Sequence, residues 1–422
     1  MERPSLEKLI LYRDILHDEI VKSAHELWKM NKHRESAEIE ENYFRIQYLL
    51  LKMYPEKFNI CWKSHIMDII LKNENTFSLL SEIDGNTDDL RNLVKNDLCI
   101  LKELYNVDWH RLSCEMGDTE TSILCREPHN DEDTIIMNNI FGKEGIVDDK
   151  AIEELEKAYR EKGCGIFREY IAFKWDDDKG LIGISNVDPI RCQDLIGYQL
   201  QKNTLLENTE KLIRGHRVNN ILLYGDKGTG KSSLVKAVLN EYSHKKLKII
   251  ELTKEQFSKF PALMDQINKR GYKFIIFIDD LSFEDFEVEY KYFKAILEGG
   301  IEVRPEHVVI YATSNRRHII KESWKDQPEG MDDLHRNDAV QEKLSLADRF
   351  GITITFQSPN KDLYLRIVED LAQKENIKMD QEKLFEEALK WEIRYHGRSG
   401  RTARQFIDYI LSVKDTPKLL KE

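Results

Sequence analysis

Short apolar runs alternate with helical patterns through the second half of the chain. These runs have the composition of β-strands and lie at residues 221–224, 248–252, 274–278, 308–313 and 352–356. Such alternation is typical of crossover units around a parallel sheet that is buried on both faces. We therefore expect an α/β fold with a five-stranded parallel sheet over residues 187–358, followed by a small helical region over residues 359–422.

The first half of the chain has a different character. Its apolar residues recur at helical spacings, as at Leu6, Leu9 and Ile10. Residues 1–180 contain 25 basic and 38 acidic residues, a net charge of −13, whereas residues 181–422 contain 39 and 38, a net charge of +1. We expect a mainly α-helical, acidic N-terminal region over residues 1–180, which binds a partner or has a structural role.

Two stretches interrupt this helical pattern. Residues 116–149 are richer in Asp, Asn and Gly, which predicts a loop. Residues 170–175 and 181–184 lie on either side of the sequence D-D-D-K-G, which predicts two short strands around a turn.

Composition also bears on the compartment. The chain has no apolar run of about 18 residues and its charged start lacks a signal peptide's apolar segment, so we expect no membrane span. The six cysteines form no C-x-x-C pair, which favours buried free thiols over disulfides or zinc and indicates a cytoplasmic protein. A total net charge of −12 argues against a dedicated duplex-binding protein.

A glycine-rich segment lies directly between the first strand and a helix. Its sequence, G-D-K-G-T-G-K-S, fits the pattern G-x-x-x-x-G-K-[ST], in which backbone N–H groups surround phosphate oxygens. The following helix N-terminus adds a partial positive charge. We expect Lys231 to reach the β- and γ-phosphates of a nucleotide and the Ser232 hydroxyl to bind Mg²⁺. The predicted binding residues of this phosphate loop are Gly225, Asp226, Lys227, Gly228, Thr229, Gly230, Lys231, Ser232 and Ser233.

Polar side chains follow the third and fourth strands. Asp279 and Asp280 end the third strand, where α/β sheets bind their ligands. We expect Asp279 to hold Mg²⁺ through water and Asp280 to polarise an attacking water molecule. Asn315 follows the fourth strand and can hold that water by hydrogen bonding. Without the phosphate loop, a helix cap would explain the two acids equally well.

The order of these motifs carries a resemblance. Beyond the phosphate loop and the paired acids, the chain has S-N-R-R-H at 314–318, E-K-L-S-L-A-D-R-F-G at 342–351 and S-G-R-T-A-R-Q-F at 399–406. Together these motifs resemble the AAA+ ATPases, and more narrowly the bacterial AAA+ group named domain-of-unknown-function family 815. The resemblance covers residues 187–415 and implies a sheet order of 5-1-4-3-2 with a C-terminal helical lid.

The resemblance also implies roles for individual residues. It implies that Asn315 is the sensor 1 residue and that Arg349 is the arginine finger, which enters the site of a neighbouring subunit. Arg404 is implied as the sensor 2 arginine, which contacts the γ-phosphate from the lid, with Arg401 as the alternative. A glutamate is more usual at the position of Asp280, which leaves the hydrolysis rate open.

A few further positions complete this comparison. Gly197 and Tyr198 lie in a segment that resembles the loop that packs on adenine. Glu284 or Asp285 could substitute for Asp280, and Arg316 and Arg317 are other sources of a cation between subunits.

Both predicted arginines also have a structural explanation. Arg349 could pair with Asp348 or Asp362, and Arg404 could pair with Asp408 at the i, i+4 spacing of a helix.

Taken with the resemblance, these residues predict an ATPase that uses ATP and Mg²⁺. We expect hydrolysis to be coupled to lid and oligomer motion that remodels a protein partner bound through residues 1–180. The resemblance implies a homo-oligomer, of which a hexameric ring is one form, with Arg349 acting in trans. The alternative is a slow nucleotide-dependent switch or loader that acts on a replication or nucleic-acid complex. The acidic N-terminal region makes nucleic acid the less favoured partner.

Overall fold

The chain divides into two compact units in a computed structural model. The structure describes residues 4–30, 36–55, 60–118, 120–142, 147–283, 288–298, 305–315, 349–395 and 397–414. The first unit comprises Met1–Glu169 with Lys269–Gly271, and the second comprises Tyr170–Asn268 with Tyr272–Glu422.

The described part of the first unit is helical. Its helices are α1 (Glu19–Lys29), α2 (Ser36–Met53), α3 (Trp62–Lys72), α4 (Thr76–Ser81), α5 (Asp88–Tyr105), α6 (His110–Glu115), α7 (Glu132–Phe141), α8 (Asp149–Lys162) and α9 (Ile166–Glu169). Apolar residues at helical spacings meet in one core, which includes Leu6, Leu9 and Trp62 with exposed fractions of zero. Ile10, which the same pattern included, is exposed.

Helix α7 corrects the predicted loop over residues 116–149. Asp131 precedes this helix, and its carboxylate accepts a hydrogen bond from the Thr134 N–H at 2.8 Å. Acidic residues favour such capping positions as strongly as they favour turns. The same residue type that predicted a loop therefore begins a helix.

A buried ionic cluster lies in the first unit around Arg270. Its guanidinium donates to Glu74 Oε1 at 2.6 Å, to Glu82 Oε1 at 2.8 Å and to the carbonyl oxygen of Cys164 at 2.9 Å. Glu82 also accepts the backbone N–H of Gly271 at 3.1 Å. Because Arg270 and Glu82 are both almost fully buried, each depends on the other to compensate its charge.

The second unit contains a seven-stranded, mainly parallel sheet. Its strands are β1 (Ala172–Asp176), β2 (Gly180–Gly183), β3 (Ile221–Gly225), β4 (Leu247–Glu251), β5 (Lys273–Ile278), β6 (Val308–Ser314) and β7 (Ile352–Phe356). They lie in the order β2-β1-β4-β5-β6-β3-β7. The expectation of a five-stranded sheet with the order 5-1-4-3-2 is therefore corrected. The five predicted strands are neighbours in the expected sequence, but they are β4-β5-β6-β3-β7 of a larger sheet.

The two additional strands form the hairpin that residues 170–184 predicted. β2 runs antiparallel to β1, and β1 runs parallel to β4 through the pairs Ala172↔Ile249 and Phe173↔Ile250. Alternating burial along β1 shows that its apolar side chains pack inward. Residues 172–183 therefore belong to the sheet of the second unit.

Helices follow or precede these strands. They are α10 (Gln199–Ile213), α11 (Lys231–Tyr242), α12 (Phe260–Ile267) and α13 (Val288–Glu298). After β7 come α14 (Lys361–Lys374), α15 (Gln381–Arg394) and α16 (Gly400–Lys414). These last three helices share a separate core that includes Tyr364, Leu384 and Phe406. We call α14–α16 the lid, after the helical lid that the sequence resemblance implies.

The cysteines differ from the expectation of buried thiols. All six are free, but only Cys61 and Cys164 are buried, whereas Cys114 is exposed. Of the helices that the structure describes, none has both the length and the hydropathy needed to cross a membrane.

Candidate functional site

The phosphate loop follows β3 with a backbone that requires glycine. Gly225, Gly228 and Gly230 have φ angles of 138°, 75° and 93°, a region that residues with a Cβ atom rarely adopt. A Cβ atom on Gly225 would also collide with the carbonyl oxygen of Phe356 in β7. The Thr229 hydroxyl closes the loop by donating to the carbonyl oxygen of Asp226 at 2.9 Å.

Lys231 begins α11 directly after this loop and is 5% exposed. Its ammonium group donates to the carbonyl oxygens of Gly225 at 2.9 Å and Asp226 at 2.7 Å, and to Asn315 Oδ1 at 3.1 Å. Burial lowers the pKa of Lys231, although nearby carboxylates oppose this shift. The loop therefore holds a partly desolvated cation at its centre by neutral oxygens.

Ser232 and Asp279 form a second group of polar atoms beside Lys231. The Ser232 hydroxyl donates to Asp279 Oδ1 at 2.6 Å, and the Thr313 hydroxyl donates to the same oxygen at 2.5 Å. Thr313 lies near the end of β6 and also accepts the Asp280 N–H at 2.9 Å. Sequence reasoning did not identify Thr313, whose only signal is a hydroxyl near the carboxyl end of a buried strand.

Asp280 and Asn315 complete this edge of the sheet. Asp280 has a φ angle of 52°, which is a left-handed backbone conformation at a residue other than glycine. The Asn315 amide Nδ2 donates to Asp280 Oδ1, while Asn315 Oδ1 accepts from Lys231. One amide thus connects the loop lysine to the second acid.

The other side chains of the phosphate loop point to different surroundings. Lys227 is exposed and Ser233 is half-buried in the first turn of α11. Asp226 Oδ2 accepts from both the backbone N–H and the hydroxyl of Ser358, each at 2.7 Å. These two hydrogen bonds lower the pKa of Asp226 below its usual range.

Gly197 and Tyr198 lie where β7 meets the lid. Both have left-handed backbones, with φ angles of 82° and 54°. The Tyr198 ring lies 5.2 Å from the ring of Phe356, and its hydroxyl donates to the carbonyl oxygen of Gln357 at 2.7 Å. Burial raises the pKa of Tyr198 to about 12. A Cβ atom on Gly197 would meet Leu363 of the lid at 2.7 Å.

The two lid arginines have different positions. The backbone N–H of Arg401 donates to the carbonyl oxygen of Gly228 at 3.3 Å, which puts the start of α16 against the phosphate loop. Arg401 also contributes to the pKa of Lys231, so the two cations are close. Arg404 instead pairs with Glu375 at 2.9 Å and with Asp408 at 3.1 Å, the second being the alternative that its spacing predicted.

Arg349 lies apart from this site within its own chain. It precedes β7, whose register pairs Ile352 with Ile221 and Phe356 with Gly225. At roughly 3.3 Å per residue, about 13 Å of strand separates the two edges of the sheet at β7. Arg349 is therefore at the edge opposite the phosphate loop.

Some of the predicted residues lie together in the structure, and others lie elsewhere. The residues brought together at the carboxyl edge of the sheet are Gly225, Asp226, Gly228, Lys231, Ser232, Asp279, Asp280 and Asn315, with Arg401 from the lid. Arg349 and Arg404 are not among them. Several other candidates lie outside the described residues, namely Glu284, Asp285, Arg316, Arg317 and Asp348.

Solved structures that are similar to this chain include several forms of one protein. Thermotoga maritima RuvB, described as a Holliday junction branch migration motor, is similar at 18% identity, with 54% of this chain and 67% of that chain covered and a TM-score of 0.38. A proline-to-glycine variant of that protein is 19% identical to this chain. The match covers 54% of this chain and 68% of that chain, with a TM-score of 0.38. Likenesses this low carry no argument. No curated protein matches the chain.

The family profile gives a broader match. The profile described as "Protein of unknown function (DUF815)" matches residues 168–414, which is more than half of the chain. The match begins next to β1 and ends within the last residues of α16. The resemblance to family 815 is thereby confirmed, and the chain belongs to the DUF815 family.

Proposed function

We propose that the second unit is an AAA+ ATPase module that binds ATP and hydrolyses it. The observation that carries this proposal is the hydrogen-bonded chain from Lys231 through Asn315 to Asp280. It links a phosphate-loop lysine to an acid at the carboxyl ends of neighbouring strands. A chance glycine turn has no reason to align these three side chains.

Phosphate binding follows from the loop and from the helix behind it. The N–H groups of the first turn of α11 have no helical acceptors, so they are available to phosphate oxygens. Lys231 at present donates to carbonyl oxygens, and phosphate oxygens carry more negative charge than these. Nucleotide binding therefore transfers the ammonium group from the loop backbone to the β- and γ-phosphates.

The donor set beside the loop fits Mg²⁺. Ser232 Oγ and Asp279 Oδ1 are adjacent oxygen atoms, and Mg²⁺ prefers oxygen ligands from one or two protein groups together with phosphate oxygens. When bound, the ion supplies positive charge that offsets the charge of the phosphates during transfer. Thr313 holds the Asp279 carboxylate in place for this role.

Asp280 is the residue we assign to the attacking water. Its carboxylate accepts the proton as the water oxygen bonds to the γ-phosphorus and the bond to the β-phosphate oxygen breaks, which releases ADP and phosphate. Asn315 orients both Asp280 and the water. The short side chain of Asp280 supports the slow switch as a second candidate, because it reaches less far than glutamate.

Two arginines complete the proposal. Arg401 projects from the lid next to the phosphate loop, so we assign it rather than Arg404 to the γ-phosphate. Arg349 acts in trans on a neighbouring copy, because in its own chain it lies at the wrong edge of the sheet. A homo-oligomer, with a hexameric ring as one form, supplies the neighbour.

The cellular role that we propose is the remodelling of a protein. ATP-driven motion of the lid and the oligomer remodels a protein partner that residues 1–180 recruit. The acidity of those residues favours a protein or a basic surface over nucleic acid. The loader on a replication complex is the alternative, and strong stimulation of turnover by single-stranded DNA would distinguish it.

Steady-state ATP turnover tests the proposed module. Asp280→Ala should bind ATP within about threefold of the wild type and lose turnover by about a hundredfold, because only the proton acceptor is removed. Lys211→Ala, which changes an exposed lysine of α10, serves as the control and should behave as the wild type. Wild-type protein without ATPase activity, or an unchanged rate in Asp280→Ala, would contradict the assignment.

A further inference from the structure

The chain between β7 and α14 is short and is held by nucleotide-binding elements. We call residues 357–360 the lid linker. Its last residue, Asn360, caps α14 by accepting the Leu363 N–H at 2.9 Å. A change in the backbone of this linker therefore turns the first helix of the lid directly.

Two loops bind the lid linker and the strand before it. Asp226 of the phosphate loop donates its N–H to the Phe356 carbonyl oxygen at 3.0 Å and accepts two hydrogen bonds from Ser358 at 2.7 Å. Tyr198 holds the carbonyl oxygen of Gln357 at 2.7 Å. Three successive residues, 356 to 358, are thus fixed by groups that adjoin the nucleotide site.

An aspartate in this loop needs an explanation. Its negative charge opposes the binding of an anionic phosphate group, and the x positions of the motif do not require an acid. Its carboxylate is engaged by Ser358, and these hydrogen bonds keep the acid ionised. Charge-assisted hydrogen bonds of this kind are stronger than neutral ones, so an acid suits a mechanical connection at this position.

We propose that Asp226 is a positioning residue that couples the phosphate loop to the lid linker. The inference rests on the proposed ATP site and assigns Asp226 a role other than nucleotide contact. Lys231 donates to the carbonyl oxygen of Asp226 itself. Phosphate oxygens compete with this carbonyl oxygen for the ammonium group. When Lys231 leaves the carbonyl oxygen, the backbone of Asp226 turns, and Ser358 moves with it because Ser358 is hydrogen-bonded to the Asp226 carboxylate.

The lid contacts the loop at a second point, which gives the connection a direction. The N–H of Arg401 donates to the Gly228 carbonyl oxygen, so the loop contacts the lid at its first helix through the linker and at its last helix directly. These two contacts set the orientation of the lid relative to the loop. The Lys374 ammonium group of α14, which donates to Asp194 Oδ1 at 3.0 Å, keeps the lid attached when one of them is lost. Loss of Asp226 should therefore misplace Arg401 without emptying the site.

The test compares Asp226→Ala, Asp226→Asn, Ser358→Ala and the double variant Asp226→Ala/Ser358→Ala. Glu207→Ala, an exposed acid of α10, is the control for loss of one negative charge. ADP affinity and ATP turnover are measured for each. Spin labels on noncanonical amino acids at Lys211 and Glu382 report the distance from α10 to the lid, with and without a slowly hydrolysed ATP analogue.

We expect Asp226→Ala to keep ADP affinity within about threefold and to lose about tenfold in turnover, with no analogue-dependent change in the distance. Ser358→Ala should lose about threefold, because its backbone N–H remains, and Asp226→Asn should be intermediate. The double variant should equal Asp226→Ala, since both changes remove one connection.

Two results would overturn the coupling. Either Asp226→Ala responds to the analogue as the wild type does, or it weakens ADP binding as much as Lys231→Ala. A wild type that neither binds nor hydrolyses ATP would instead contradict the proposed function on which the coupling rests.

Discussion

At the scale of single residues, the site is a group of polar side chains that form hydrogen bonds with one another. Lys231, Asn315 and Asp280 share hydrogen bonds, and Ser232 and Asp279 share another. Hydrogen bonds of this kind fix the positions of the polar atoms, which reduces the reorganisation that catalysis requires. The residues of the site should therefore differ in what they contribute to binding and to turnover.

Lys231 should take up a proton when ATP binds at alkaline pH. Burial lowers the pKa of its amine in the free protein, and phosphate oxygens favour the ammonium form and raise that pKa. Between these two pKa values binding adds a proton, so affinity falls as pH rises through the free-state pKa. Calorimetric titrations at a series of alkaline pH values, in buffers of different ionisation enthalpy, measure this uptake.

The matched control for this prediction is Lys231→Arg. A guanidinium group keeps its proton at this pH, so any binding that remains should occur without proton uptake. Proton release by the wild type, or equal uptake by both proteins, would show that Lys231 does not carry the effect.

The two lid arginines should have unequal importance. Arg401→Ala should lower ATP turnover about a hundredfold, because a cation next to the phosphate loop is lost. Arg404→Ala should lower it less than about threefold, because that side chain is half exposed and already pairs with Glu375 and Asp408. Turnover measured at saturating ATP decides between them, and the reverse order would restore Arg404 as the γ-phosphate contact.

Candidate residues within one contiguous segment could be predicted from the sequence, whereas contacts with distant partners could not. The phosphate loop is contiguous, so its spacing alone identified Lys231 and Ser232. Thr313 and Ser358 meet Asp279 and Asp226 across 34 and 132 residues of chain, and nothing in their local sequence indicates those partners. Arg401 and Arg404 lie on one helix, and only the packing of that helix against Gly228 shows which of the two arginines is next to the phosphate loop.

At the scale of elements, the five predicted strands were easier to identify than the limits of the sheet. The five predicted strands are short runs rich in apolar residues, which suit a sheet buried on both faces. β2 is short and only partly buried, so its sequence predicts a hairpin without saying which sheet it joins. Its place is decided by the pairing of β1 with β4, which no local pattern records.

The ionic cluster of the first unit yields a prediction about stability. Arg270→Ala should destabilise that unit by about 3–5 kcal/mol, because Glu82 is left charged and buried without the cation that compensates it. Hydrogen exchange in α4 and α8 measures the loss. Arg214→Ala, which breaks an exposed pair with Glu210, should cost less than about 1 kcal/mol and serves as the control. Equal effects would mean that Arg270 is not a structural cation.

At the scale of the whole molecule, the proposed role of Arg349 requires a second copy of the chain. The position of Arg349 at the opposite edge of the sheet leaves the site without that arginine unless a neighbour supplies it. Light scattering should therefore detect an oligomer when a slowly hydrolysed ATP analogue is present.

Mixing two inactive variants tests the trans arrangement. Arg349→Ala lacks the donated arginine and Lys231→Ala lacks the receiving site, so each protein alone should have little turnover. In an equal, random mixture about one quarter of the interfaces combine an intact site with an intact arginine, which should restore measurable activity. Two copies of Arg349→Ala with different tags serve as the control. No recovery from mixed oligomers would rule out action in trans.

The central claim is that the phosphate loop binds Mg–ATP through Lys231, and a calorimetric titration of the intact chain tests it most directly. We expect one nucleotide per chain for the wild type and a loss of affinity of at least about a hundredfold for Lys231→Ala, because the ammonium group that is buried in the loop is removed. Lys211→Ala should bind as the wild type does. Equal affinity of Lys231→Ala and the wild type, or no binding by the wild type, would contradict the account.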